Sequence, residues 1–251
     1  MASPHVCALV AAAGQGTRLG AELPKAFVDL CGATLLERSV GAIAASRVVD
    51  EVIIIVSPDM EGAARKIIAD MELEIPVRFV HGCGERADSV WAGLMELRSA
   101  LSARGTGGVP GARHVVLVHD AARALVPAEM IARVVHEVIS GAVAVVPVQP
   151  VVDTIKVVND GHVVSTPERA SLRSVQTPQA FQLEALIAAN EKYFAHAQQG
   201  FVATDDASLM EWCDHTVTTV AGDPMAFKIT TPTDLLLAKA LLEAQGKDVY
   251  Y

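Results

Sequence analysis

Val6-Cys7-Ala8-Leu9-Val10-Ala11-Ala12-Ala13-Gly14-Gln15-Gly16-Thr17-Arg18-Leu19-Gly20-Ala21-Glu22-Leu23-Pro24-Lys25 carries an apolar run straight into a glycine-containing loop. Residues 6–12 read as a strand covered on both faces, because an uninterrupted apolar run leaves no face for water. At the strand exit, Gly14 and Gly16 let backbone N–H groups turn towards an anion without interference from Cβ. Arg18 and Lys25 add two fixed positive charges. Many donors, neutralising charge and little bulk are what a triphosphate requires. The loop lacks the Gly-Lys-Ser/Thr ending of a Walker A loop, and Leu19 stands where a dinucleotide fingerprint wants its third glycine.

Outward from this segment, β-branched runs alternate with longer helical patterns. Residues 51–56, 77–80, 114–119 and 142–148 read as further buried strands, and 35–45, 60–71, 86–103 and 128–139 as helices. Thr34 and Pro127 supply start signals for the first and last of these helices. The alternation predicts an α/β fold: a doubly wound, mostly parallel sheet flanked by helices. Residues 105–112 read as a surface loop. Between 151 and 165 the pattern changes, with valines and one isoleucine around the turn Asn159-Asp160-Gly161, the mark of a β-hairpin. The chain is expected to form one domain over 1–251, with 150–172 inserted as a β-arm. An isolated two-stranded ribbon is only marginally stable, so the arm is expected to pack on a second subunit and make a homodimer. Helices at 183–195 and 206–212, strands at 217–220 and 226–229, and a last helix from 233 complete the expectation.

Composition narrows the classes. Among 251 residues, 51% are hydrophobic, enough for a sizeable core. With 29 acidic against 20 basic side chains the net charge is -9, which argues against binding DNA or RNA but leaves room for a small anionic ligand held by a few focused cations. The four cysteines form no C-x-x-C pair and the eight histidines complete no zinc spacing, so reduced thiols are expected. The first residues lack the basic start of a signal peptide, and no apolar run approaches the ~20 residues needed to cross a bilayer. A cytoplasmic protein is expected.

The pattern A-A-G-x-G-x-R-x-x-x-x-x-P-K over 12–25 resembles that of nucleotidyltransferases with a nucleotide-sugar pyrophosphorylase-type fold. Further motifs follow in order: Gly84-Glu85-Arg86-Ala87-Asp88-Ser89-Val90, Val118-His119-Asp120-Ala121-Ala122-Arg123, Asp153-Thr154, Thr177-Pro178-Gln179, Thr204-Asp205-Asp206-Ala207-Ser208, and Lys228 in Phe227-Lys228-Ile229-Thr230. Together they resemble the 2-C-methyl-D-erythritol 4-phosphate cytidylyltransferase family of the non-mevalonate isoprenoid pathway. The resemblance implies transfer of CMP from CTP to that polyol phosphate, with Mg²⁺ as cofactor and pyrophosphate as leaving group. It casts Arg18, Lys25 and Lys228 as catalytic. It gives the nucleotide Ala12, Ala13, Gly14, Gly16, Gly84, Ser89 and Asp120, and the acceptor Thr154, Arg169, Thr177, Thr204 and Lys228. Thr154 and Arg169 would reach a neighbouring subunit's site.

The residues carry physical readings of their own. Asp120 follows an apolar strand at the edge where α/β sheets bind ligands, and a lone carboxylate there suits Mg²⁺, which keeps several waters and bridges phosphates. It would equally serve as a helix cap or as a partner for Arg123. Ser89 is either a reader of the cytosine edge or a helix-start residue. Lys228 interrupts what reads as an apolar strand, and a buried lysine needs an anionic partner. Two departures from the family pattern stand out: Ala26 where glutamine is usual after Pro-Lys, and Cys83-Gly84 where glycine and then a small or acidic residue are common. Rival readings are a cytidylyltransferase for another polyol phosphate, such as ribitol 5-phosphate, and a non-catalytic nucleotide-binding module. The chain's length argues against fusion to a second enzyme.

Overall fold

The computed structural model describes residues 4–14, 23–82, 84–105, 114–195, 200–244 and 246. Strand β1 (Val6–Ala11) lies between β4 (Glu51–Val56) and β6 (Val115–Asp120), parallel to both, and β5 (Val77–His81) continues the parallel run beyond β4. Two short strands, β2 (Asp29–Leu30) and β3 (Ala33–Thr34), pair on their own.

Both faces of this sheet are covered, and successive residues of each strand show it. Val6, Ala8 and Val10 pack in one core with Val52, Ile54, Val115 and Leu117. Cys7 and Leu9 pack in another with Ile53, Ile55, Val116 and Val118. Helices α1 (Leu35–Ala45), α2 (Glu61–Asp70) and α4 (Ala128–Ile139) cover the first face. Helices α3 (Arg86–Ala103), α5 (Leu183–Ala195) and α6 (Asp206–Trp212) cover the second. The expected α/β fold is therefore what the chain adopts, and the apolar runs were continuous because neither face meets water. Thr34 caps α1 as expected: its hydroxyl accepts the Glu37 amide while Glu37 Oε2 accepts the Thr34 amide.

The far half of the sheet is mixed. Strand β7 (Ala144–Pro150) does not touch β6 directly; β11 (Gln179–Gln182) inserts antiparallel between them. Strand β10 (Arg173–Val175) continues that line antiparallel to the end of β7, and β12 (Val217–Ala221) runs parallel to β7. Strands β10 and β11 were not expected from the sequence, because their three and four residues show no clear period.

The strand expected at 226–229 is absent. Asp223 instead caps a 3₁₀ turn, Pro224–Ala226, and the chain runs on irregularly to α7 (Pro232–Ala244). The two buried residues, Ala226 and Ile229, lie three apart, a spacing no strand face can use. The Ile229 amide is satisfied by the Ala122 carbonyl at 2.9 Å rather than by a ladder.

Strands β8 (Val157–Asn159) and β9 (His162–Ser165) form the expected hairpin, a separate two-stranded sheet. Asp160 and Gly161 both have positive φ, 47° and 77°, as a two-residue primed turn requires. Its valines are unburied: Val158, Val163 and Val164 are 57%, 60% and 62% exposed. Among the described residues no helix is long and apolar enough to cross a membrane.

Candidate active site

The register of the parallel strands builds the site. Ala11 aligns with Ile55 on one side and with Asp120 on the other, so β1, β4 and β6 end at the same level. The Ala12 amide bonds Ile55 O at 2.9 Å and the Gly82 amide bonds Val56 O at 2.8 Å, bringing the loops after β1 and β5 to that edge. There a cleft of about 500 Å³ opens. It gathers, from the expected set, Ala12, Ala13, Gly14, Lys25, Gly84, Ser89, Asp120 and Lys228. Gly16, Arg18 and Cys83 lie outside the described residues.

One wall is narrow and almost featureless. A Cβ on Gly82 would sit 2.7 Å from Ala13 Cβ, 2.8 Å from Ser89 Oγ and 3.1 Å from Ile55 Cγ2. Gly82 is thus required by close approach, and the sequence reading passed over it because nothing local marks it. Ser89, 8% exposed, stands on the first turn of α3, where the helix's unpaired N–H groups favour anionic or carbonyl oxygens.

The opposite wall is electrostatic. Asp120 Oδ2 pairs with Lys228 Nζ at 2.7 Å and its Oδ1 lies 3.7 Å from Arg86 Nε. Burial alone would raise the Asp120 pKa, but Arg86 and Lys228 outweigh it and bring it down to about 2, so the carboxylate is charged at any physiological pH. Of the alternatives for Asp120, the helix cap is not realised, and Arg123 makes no ion pair with it and acts on its charge only through space. Arg123 turns away to the carbonyls of Ala226 (2.7 Å) and Val175 (3.3 Å), and α4 starts eight residues later behind Pro127. Arg123 instead ties the Asp120 loop to the segment that presents Lys228. The Ser39 hydroxyl donates to Ala121 O at 2.9 Å and holds the same loop from α1.

Lys228 apart, the expected acceptor residues separate into three places, none of them lining the cleft. Thr177, 5% exposed, sits behind Asp120: its hydroxyl oxygen accepts the Asp120 amide at 3.0 Å and lies 3.2 Å from His119 Nδ1. Burial holds His119 neutral, with its pKa down at about 4. Thr204 is exposed just before α6, its amide donating to Ser208 Oγ at 3.1 Å. Thr154 and Arg169 belong to the arm region, and Arg169 lies with Pro150, Val151, Ala170 and Arg173 in a second depression that shares no residue with the cleft. Arg86 is a charged cleft residue that stands in a quoted motif with no role assigned to it from the sequence.

Residues 6–244 match the sequence model of the family described as 2-C-methyl-D-erythritol 4-phosphate cytidylyltransferase. A relative of that name from Corynebacterium efficiens is 56% identical over 250 residues, covering 98% of this chain and 96% of its own. The crystal structure of the protein of that name from Thermus thermophilus is 34% identical, with a TM-score of 0.70 over 95% of this chain and 99% of its own. The structure of 4-diphosphocytidyl-2C-methyl-D-erythritolsynthase from Anaerococcus prevotii gives a TM-score of 0.78 at 28% identity, over 96% of this chain and 99% of that one. A cleft at the carboxyl edge of a doubly wound sheet, walled by Lys25, Asp120 and Lys228, and likeness along almost the whole chain lead to one conclusion: this chain belongs to the 2-C-methyl-D-erythritol 4-phosphate cytidylyltransferase family.

Proposed function

We propose that this chain transfers CMP from CTP to 2-C-methyl-D-erythritol 4-phosphate, releasing pyrophosphate, as a step of non-mevalonate isoprenoid precursor synthesis in the cytoplasm. The observation that supports it most directly is one cleft holding a close-packed apolar wall opposite Lys25, Lys228, Arg86 and an ionised Asp120. The flat wall from Ala12 and Ala13 to Gly82 suits a nucleobase, with Ser89 and the start of α3 as polar readers of its edge. The acceptor's phosphate oxygen attacks the α-phosphorus in line and the pyrophosphate leaves opposite. That oxygen is already ionised at neutral pH, so no side-chain nucleophile is needed and catalysis consists of positioning and charge stabilisation. Arg18 and Lys25 offset charge on the α-phosphoryl and leaving groups, and Lys228 takes the acceptor's phosphate.

The donor set fits Mg²⁺. Among the described residues no three His, Cys, Asp or Glu side chains gather, and Asp120 supplies one ionised carboxylate to the cleft. Mg²⁺ favours such a site, taking its other oxygens from water and phosphates. Asp120 would hold the ion, which when bound would neutralise charge across the phosphates. Ala26, one of the two departures from the family pattern, is 4% exposed and lines the same cleft.

The deciding experiment is pyrophosphate release by purified protein with Mg²⁺, crossing CTP, UTP, ATP and GTP with 2-C-methyl-D-erythritol 4-phosphate and ribitol 5-phosphate. Turnover with CTP and the methylerythritol acceptor is expected. Release only with ribitol 5-phosphate reassigns the acceptor, and none in any combination returns the chain to a binding module. Within this reading, Gly82→Ala should raise the KM for CTP about 10-fold while leaving kcat within about 3-fold, since overpacking by one methyl costs about 1–3 kcal/mol in the base subsite. An unchanged KM would remove the base from this wall.

The arm supports a homodimer. Its valines stay largely exposed, at 46–62%, and among the described residues Thr154 and Arg169 do not line the cleft, as residues serving a neighbour's would. Val163→Asp with Val164→Asp should convert a dimer to a monomer by light scattering. A dimer that survives both substitutions does not use this ribbon.

A further inference from the structure

Asp205, Asp206 and Gln179 stand in the motifs quoted from the sequence, yet the reaction as described uses none of them. Their geometry shows where they act. Asp205 caps α6, its Oδ1 accepting the Ser208 amide at 2.8 Å, while its Oδ2 accepts from Gln179 Nε2 at 2.7 Å. Gln179 Oε1 accepts the Ala207 amide at 3.1 Å. The first turn of α6 is thereby fixed to β11, and β11 pairs with β6, whose last residue is Asp120.

Asp206, 4% exposed, is left to face Arg86. Its Oδ2 lies 2.7 Å from Arg86 Nη2, and Arg86 Nε lies 3.7 Å from Asp120 Oδ1. A buried carboxylate is costly without an opposite charge, so Asp206 and Arg86 belong together. The second contact is different in kind. At 3.7 Å it is an ion pair beyond hydrogen-bond length, which restrains Asp120 Oδ1 without occupying its lone pairs. Lys228 occupies Oδ2 and Thr177 holds the main-chain amide. Among the described residues Asp120 is thus located from three directions, and on the Arg86 side no hydrogen bond occupies its oxygen.

We propose that Arg86, anchored by Asp206, is a positioning residue that spans two carboxylates and holds the Asp120 side chain in the orientation that receives the nucleotide-bound metal. The inference rests on the cytidylyl-transfer reading. It also requires arginine in particular: the guanidinium presents Nε and Nη2 to two different partners, whereas a lysine is one point charge on a flexible stem.

The test uses the full chain with Arg86→Lys, Asp206→Asn and the double variant. The readouts are kcat and the two KM values with CTP, Mg²⁺ and the methylerythritol acceptor, binding of Mn²⁺·CTP by electron paramagnetic resonance, and the melting temperature. Arg86→Lys keeps the charge and should melt within a few degrees of wild type. It should lower kcat about 10-fold and weaken Mn²⁺·CTP binding several-fold, with the acceptor KM within about 2-fold. Asp206→Asn should do the same, and the double variant should fall no further than the worse single, because one bridge is broken once. Wild-type kcat and Mn²⁺·CTP binding in Arg86→Lys overturn the proposal, as do losses that multiply in the double variant. If Asp206→Asn does not fold, Arg86→Lys decides alone on the same readouts. A wild-type protein inert towards CTP and the acceptor defeats the cytidylyl-transfer reading, and unchanged Mn²⁺·CTP binding in Arg86→Lys then separately defeats the bridge.

Discussion

Lys25→Ala should lower kcat by about 100-fold or more, the loss expected when one preorganised charge is withdrawn from a developing anion. The structure shows why the effect should fall on turnover rather than on folding. Lys25 opens a 3₁₀ turn, Lys25–Phe27, entered through Pro24, and the turn is held by the Phe27 amide on Pro24 O at 2.9 Å and the Val28 amide on Lys25 O at 3.2 Å. Ala26 and Phe27 are buried in the core, so the backbone at Lys25 is fixed by its neighbours while the side chain lines the cleft. Removing the ammonium therefore leaves the turn intact. Charge on the leaving pyrophosphate grows only as the α-phosphorus bond breaks, so the KM for CTP should change much less than kcat. Lys25→Arg, which keeps a cation but changes its shape and reach, should recover part of the rate. Turnover near the wild-type value in Lys25→Ala, with unchanged melting, would remove Lys25 from the catalytic set.

Lys25 was legible in the sequence for a simple reason: the chemistry of the loop is local. Glycines at a strand exit followed by Arg and Pro-Lys mark the loop by themselves, and the structure places Gly14 and Lys25 on the cleft. Asp120 was legible for a related reason, since an acidic residue ending an apolar strand must lie at the carboxyl edge of the sheet. The rest depended on contacts between segments far apart in the chain. Lys228 was singled out as a buried interruption of a strand, but that strand does not exist and the side chain is 41% exposed; its anionic partner does exist, and it is Asp120, 108 positions earlier by the residue numbers. Gly82 is demanded by Ala13, Ser89 and Ile55, which meet only after β1, β4 and β5 have paired. Thr177 and Gln179 look in sequence like a short polar motif. Their roles, behind Asp120 and on the first turn of α6, follow from the antiparallel insertion of β11, which no hydrophobic period announced. The parallel half of the fold was readable because its strands are buried on both faces. In the mixed half β7 and β12 were readable, while β10 and β11 were not, because three- and four-residue strands carry too few residues to show a period.

Asp120→Asn should be the most damaging of the single changes, lowering kcat about 1,000-fold, because one substitution removes a charge that Arg86, Lys228 and Arg123 all stabilise. Asparagine keeps the size and can still accept through one oxygen, so packing at this 9%-exposed position should survive. What is lost is the negative charge. Lys228 then faces no carboxylate at 2.7 Å, and Arg86 retains only Asp206. The remaining cations repel one another and would hold the triphosphate in several poses rather than one, while the neutral amide is a poor ligand for a hard divalent ion. The rate should stay low at every pH, in contrast to a defect in a general base, which rising pH would relieve. Stability provides an independent check with a defined sign. The folded-state pKa of Asp120 is about 2, below its ordinary value of 3.8, so its ionisation contributes stability above about pH 4 that is lost as pH falls towards 2. At pH 7 that contribution is about 2 kcal/mol, and Asp120→Asn should melt lower by an amount that shrinks in acid. A variant with wild-type kcat would take the metal and the phosphates away from Asp120, and a melting difference that persisted undiminished at pH 2.5 would show that the residue contributes through shape and not through charge.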